Sequence, residues 1–202
     1  MISAREERHP SVFIKVCGVT RAEHVEWAAE LGYDAVGFMC VRNSPRYVPV
    51  EQLADLARVA RNRIRTMAVG MTFTEVEQAL DLVDAVQLYE YDPRPAHLAV
   101  ASAEAPTRAD AHPNVEYWFY DISHGTGSFT APPDWMHEAR IPVVLAGGLH
   151  PENVAEVVRN YHPAGLDVSS GVEKERGVKD RHLMEAFIRR ARQAQTTPSS
   201  EA

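Results

Sequence analysis

The sequence predicts an α/β fold built on parallel strands, and three features predict it. Short apolar runs alternate with amphipathic stretches along most of the 202 residues. Each amphipathic stretch is long enough to serve as a crossover, and crossover helices join parallel neighbours. The runs are apolar almost throughout rather than alternating, as strands are when both faces are covered. A doubly wound sheet and a closed barrel both satisfy this pattern.

The elements follow in order. Residues 12–17 form the first strand, and 21–31 a helix with Val25, Ala28 and Ala29 at helical spacing and Gly32 as its C-cap. A strand over 34–40 leads to a helix over 50–61, whose Leu53, Leu56, Ala57 and Ala60 make one stripe. The third strand spans 65–71, Thr74 caps a short helix ending at Leu82, and the fourth strand spans 84–88. Residues 91–114 contain Pro93, Pro95, Pro106 and Pro113, too short a stretch for two full helices and a strand. They read as a strand over 97–102 with very short connections, or as one helix over 96–105. Strands over 116–121 and 141–146, a helix over 151–160 with Pro151 near its start, a strand over 166–169 and a helix over 180–195 complete the chain. Residues 1–11 and 196–202 read as flexible tails of a single domain.

Composition narrows the function. A net charge of −7 argues against nucleic acid as a partner, because a phosphate backbone selects a basic surface. No apolar run approaches the ~20 residues that span a bilayer. The charged N-terminal ten residues lack the apolar stretch of a signal peptide, so the expected compartment is the cytoplasm. Two cysteines make no disulfide framework, and Cys40 reads as a buried free thiol. His124, His137, His150 and His162 show no metal-ligand spacing; neither a metal nor a cofactor is expected.

Cys17 carries the sharpest signal. It ends the apolar run Phe13-Ile14-Lys15-Val16-Cys17-Gly18-Val19-Thr20, and Lys15 is one of only three lysines in the chain. Strand residues two apart share a face, so Lys15 and Cys17 point the same way, with the thiol nearer the C-terminal end. Two later segments resemble anion cradles. Leu145-Ala146-Gly147-Gly148-Leu149 leaves one strand, and Asp167-Val168-Ser169-Ser170-Gly171-Val172-Glu173 leaves the next. Glycine admits close backbone approach, and free amides there bind anions. In a βα barrel the loops after strands seven and eight form the usual phosphate site.

Taken together these motifs resemble the phosphoribosylanthranilate isomerase family of tryptophan biosynthesis. The resemblance rests on Lys15-Val16-Cys17-Gly18-Val19-Thr20, Asp34-Ala35-Val36-Gly37-Phe38 with Ser44-Pro45-Arg46-Tyr47-Val48, and Val86-Gln87-Leu88. It continues through Asp121 with Gly125-Thr126-Gly127-Ser128-Phe129, the two cradle segments with His150-Pro151-Glu152-Asn153-Val154, and Gly177-Val178-Lys179-Asp180. It implies a compact (βα)8 TIM barrel with shortened or missing helices around residues 91–114. It also implies an Amadori rearrangement of an N-linked ribose phosphate, in which Asp121 is the acid that opens the ring and Cys17 the base that takes the C2′ proton.

Such a pair needs opposite shifts. Asp121 must stay protonated against an ordinary value of about 3.9, with burial among Tyr117, Trp118, Phe119 and Tyr120 as the expected cause. Cys17 must ionise below about 8.5, with Lys15 as the expected cause. Arg46 is the implied ligand of the anthranilate carboxylate. Gln87 and Lys15 are implied substrate contacts, and Gly147, Gly148, Ser169, Ser170 and Gly171 the phosphate site. The partner is a phosphorylated small molecule, and the protein a monomer or homodimer.

Strands four to six depart from the family pattern. Tyr89-Glu90 stands where the family has His-Gly, and a glutamate at the mouth is expected to repel an anionic substrate. Only Ile122-Ser123-His124 separate Asp121 from the glycines. A related isomerase or cyclase acting on another phosphoribosyl or aminosugar adduct is therefore an alternative. A non-catalytic phosphosugar-binding barrel is a further one, opposed by the presence of both Cys17 and Asp121.

Overall fold

The computed structural model describes residues 12–107, 112–121 and 129–196. The stretches 1–11 and 197–202, which hold nearly all of both expected tails, lie outside them. Eight strands close into one barrel in sequence order. They are β1 (Phe13–Cys17), β2 (Ala35–Met39), β3 (Arg65–Gly70), β4 (Ala85–Leu88), β5 (Leu98–Ser102), β6 (Val115–Asp121), β7 (Val143–Ala146) and β8 (Gly165–Val168). Every neighbouring pair is parallel, and β1 bonds to both β2 and β8, which excludes the doubly wound alternative. Around the barrel lie α1 (Ala22–Leu31), α2 (Val50–Ala60), α3 (Phe73–Val76, continuing as a 3-10 turn through Leu82), α4 (Val154–Tyr161) and α5 (Arg181–Thr196).

Local chemistry moves several boundaries. The cap of α3 is Thr72 rather than Thr74, because Glu75 reaches back to the Thr72 and Met71 amides and completes a capping box. Helix α4 starts at Val154 instead of Pro151. The Asn153 side chain folds the preceding turn, accepting from the His150 amide at 2.9 Å and donating to the Gly148 carbonyl at 2.9 Å. Gly32 ends α1 at φ +85°, as its type predicts. In the proline-rich middle the strand prevails over the helix. Leu98 and Val100 pack outward while Ala99 and Ala101 point into the barrel, so a two-residue period buries every side chain. Among the described residues, no helix follows β4 or β5. The sequence gives no warning of a short antiparallel hairpin, β9 (Glu173–Glu175) with β10 (Val178–Lys179), after β8.

Two cores result. The larger lies between strands and helices, and the smaller fills the barrel with Ala35, Met67, Ala85, Ala99, Ala101, Phe119 and Val144. Helix α5 ties the ends of the ring together. Arg192 donates to the Val12 carbonyl and, at 2.8 Å, to Asp34, which itself accepts from the Ile14 amide at 2.7 Å. Tyr33 Oη donates to the Met184 carbonyl at 2.9 Å.

Candidate active site

Two-residue periodicity brings polar side chains to one end of the barrel. Register sets Asp121 beside Ala146, Ala146 beside Asp167, and Asp167 beside Lys15, so four consecutive strands share one level. Cys17 stands two residues further along β1, opposite Gly37. Above this level opens a cavity of about 670 Å³. Cys17, Arg46, Gln87, Asp121, Gly147, Gly148, Ser169 and Ser170 all line it. Lys15 and Gly171 do not line it. Lys15 lies beneath it, fully buried, rather than among the ligand contacts that the motif implies.

The reason is Asp167. Lys15 Nζ donates to both of its oxygens, at 3.0 and 2.9 Å, and sits 5.2 Å from the centre of the Phe119 ring. Two strand-level residues of opposite charge thereby neutralise each other inside the barrel, where either alone would be costly. Lys15 still faces Cys17: a Cβ on Gly37 would meet Lys15 Cε at 2.9 Å and Cys17 Sγ at 3.0 Å. The thiol is nevertheless pushed above its ordinary value. Burial outweighs the nearby Lys15 ammonium, and the Asp167 carboxylate adds to the rise. The expectation that Lys15 leaves a reactive thiolate in the free protein is therefore corrected.

Arg46 reaches the cavity with one edge occupied. Its Nε and Nη2 each donate to Glu173 at 2.8 Å, and Lys179 Nζ donates to the same Glu173 at 2.9 Å. Lys179 also donates to the Ser169 carbonyl at 3.1 Å, and Ser169 Oγ donates to the Cys17 carbonyl at 3.1 Å. The two cations hold the Glu173 carboxyl down at about 2, against its burial.

Asp121 is half-buried at the end of β6. Of its four aromatic neighbours in sequence only Tyr117 and Phe119 share its inward face; Trp118 and Tyr120 pack in the outer core. Tyr89 Oη donates to Asp121 Oδ2 at 3.2 Å. Tyr89 thus enters the cavity as a partner of the carboxyl, whereas Glu90 is exposed and does not line it. The glutamate expected at the mouth is therefore not among the side chains that line the cavity. Gln87 is buried, and its Oε1 has no hydrogen-bond partner among the described residues.

Gly147 and Gly148 hold φ of +86° and +64°, a region that favours glycine. A Cβ on Gly171 would lie 1.9 Å from the Leu149 carbonyl oxygen, so backbone meets backbone where the two cradle loops touch. Ile122-Ser123-His124 and Gly125 to Ser128 lie outside the described residues. Sequence reasoning passed over Asp167, Glu173 and Lys179 as site residues. The scarcity that singles out Lys15 applies equally to Lys179, another of the three lysines and likewise buried. Among the described residues no group of three or more His, Cys, Asp and Glu is arranged to hold a metal ion. Nor is any helix long and apolar enough to cross a membrane.

Fold and site together define a (βα)8-barrel protein with its cavity at the C-terminal ends of the strands, where enzymes of this fold carry their active sites. The profile of N-(5'-phosphoribosyl)anthranilate (PRA) isomerase matches residues 14–190. The chain is 33% identical to the N-(5'-phosphoribosyl)anthranilate isomerase of Afipia carboxidovorans, over 93% of this chain and 92% of that one. TrpF from Jonesia denitrificans superposes with a TM-score of 0.79 at 28% identity, covering 92% of this chain and 99% of that one. A phosphoribosyl anthranilate isomerase in complex with reduced 1-(o-carboxyphenylamino)-1-deoxyribulose 5-phosphate gives 0.71 at 27% identity, covering 89% and 98%. The chain belongs to the phosphoribosylanthranilate isomerase family.

Proposed function

We propose that the protein converts N-(5-phosphoribosyl)anthranilate to 1-(2-carboxyphenylamino)-1-deoxyribulose 5-phosphate, an Amadori rearrangement in tryptophan biosynthesis. The observation that carries the residue roles is that one cavity holds Cys17 and Asp121 together with both glycine-bearing loops. The phosphate rests on Gly147, Gly148, Ser169 and Ser170, with Gly171 allowing the two loops to meet. Arg46 receives the carboxylate, and Gln87 offers its unpartnered oxygen to a substrate hydroxyl.

Asp121 gives its proton to the ring oxygen. The anomeric C–O bond breaks, and the nitrogen lone pair forms a C=N iminium. Cys17 then takes the C2′ proton; the C–H electrons make a C1′=C2′ bond, and the C=N π pair returns to nitrogen. The enolamine gains a proton at C1′ as the C2′ hydroxyl loses one, giving the ketose. The iminium places a positive charge near a thiol that burial otherwise keeps neutral. The iminium therefore supplies the activation that Lys15, outweighed by burial, does not complete.

Complementation of a tryptophan auxotroph tests this reading. The intact gene restores growth, while Cys17→Ala and Asp121→Asn do not, and purified variants retain the fold by circular dichroism. Growth supported by either folded variant removes that residue's role, and failure of the intact gene with purified, folded protein inert toward the substrate removes the reading.

A further inference from the structure

Three charged side chains meet beside the cavity, and the acid–base steps use none of them as acid or base. Glu173 Oε1 accepts from Arg46 Nε at 2.8 Å and from Lys179 Nζ at 2.9 Å, and its Oε2 accepts from Arg46 Nη2 at 2.8 Å. The side chains of Glu173 and Lys179 are 4% and 0% exposed, that of Arg46 17%. Within this trio two cations share one carboxylate. Arg46, the most exposed of the three, lines the cavity, where a second anion can reach its guanidinium.

Guanidinium geometry says where that anion fits. A guanidinium offers two parallel pairs of N–H groups, and a carboxylate takes one pair at a time. Glu173 takes the Nε/Nη2 edge, which leaves the Nη1/Nη2 edge for a second carboxylate. Glu173 does not yield its place to the newcomer, because its departure would strand the buried Lys179 ammonium. The hairpin that carries it is itself docked: Thr20 Oγ1 donates to the Gly177 carbonyl at 2.8 Å.

We propose that Glu173 is a positioning residue for recognition of the substrate's carboxylate, gripping one edge of Arg46 so that the other edge meets the ligand. The proposal rests on the isomerase reading above. It makes the β9–β10 hairpin part of the specificity apparatus, and it gives Lys179 a purpose at one remove, as the anchor of Glu173.

Steady-state kinetics on N-(5-phosphoribosyl)anthranilate and on the corresponding aniline adduct, which lacks only the carboxylate, test it through the ratio of the two kcat/KM values. Glu173→Gln lowers that ratio about tenfold, the worth of one charge-assisted hydrogen bond, through KM of the carboxylated substrate. The aniline adduct's kcat/KM falls by a smaller factor, because the phosphate site that both adducts use also leans on Lys179. Arg46→Met lowers the ratio as well, and Glu173→Gln added to it lowers it no further. Glu173→Asp keeps a charge beside Lys179 while withdrawing it from Arg46 by one methylene; it shows a loss in the same direction if Glu173→Gln does not fold. A folded Glu173 variant whose ratio is unchanged or raised, or which loses both substrates equally, overturns the proposal and leaves the isomerase reading standing. A wild-type protein inert toward both adducts removes that reading and the proposal with it.

Discussion

Gly37→Ala tests the packing that holds Lys15 and Cys17 side by side. Gly37 is outside the left-handed region, so its backbone tolerates alanine and only space is at issue. The new methyl would lie 2.9 Å from Lys15 Cε, 3.0 Å from Cys17 Sγ and 3.1 Å from Lys15 Nζ. Lys15 has nowhere to retreat, being fully buried and bonded to both Asp167 oxygens. Crowding of this kind costs about 1–3 kcal/mol, and drawing Lys15 away from one oxygen adds about 1.5 kcal/mol. For a chain of this length that lowers the melting temperature by about 5–15 °C. Displacing the sulfur by ~1 Å lowers kcat about a hundredfold. Gly32→Ala is the control: at φ +85° with nothing within 4 Å of the added carbon, it costs stability through its backbone and leaves kcat alone. Thermal unfolding by circular dichroism and initial rates read both effects. A Gly37→Ala protein with wild-type melting and wild-type kcat shows that Lys15 and Cys17 are not packed against this position.

The raised thiol predicts slow alkylation of the free protein. Because burial favours the neutral form of Cys17, iodoacetamide labelling rises only as pH climbs past the ordinary thiol range. Peptide mapping separates Cys17 from Cys40, which burial pushes to about 11. A Cys17 that labels faster than a free thiol peptide at pH 7 contradicts this. Gly171→Ala forces apart the Leu149 carbonyl and the β8 loop, since no Cβ fits at 1.9 Å. Isothermal titration with inorganic phosphate then shows weaker binding than in the wild type, while an unchanged affinity removes the loop contact from the phosphate site.

Much of the barrel was legible because each of its strands is an apolar run and short punctuation separates them. At β5 the sequence left a strand and a helix both open, because the apolar run Leu98, Ala99, Val100 and Ala101 suits either until the barrel gives it two faces to bury. The boundaries that moved did so through side chains. Glu75 selects Thr72 over Thr74, and Asn153 delays α4, and neither preference appears in a hydrophobic pattern. At the site, two-residue periodicity placed Lys15 beside Cys17 correctly. It did not show that Asp167, three-quarters of the chain away, takes the lysine for itself. The same blindness hid Glu173, which joins Arg46 to Lys179 across an apolar-poor hairpin spanning residues 173–179. Pairings between distant residues are set by strand register and loop docking, which no local pattern encodes.

The clasp between α5 and the opening strand bears on how the chain is made. Arg192, near the end of α5, reaches the Val12 carbonyl, and β1 gains its second neighbour only when β8 is present. Strand β1 precedes the other strands, and although β2 soon covers one edge, the contacts of its other edge come last. A ribosome-bound intermediate therefore carries an unpaired β edge for most of translation, a surface prone to association with other chains. Lys15, the inward charge on that edge, then has no Asp167 opposite it, and an ammonium on a naked strand discourages such pairing until the ring can shut.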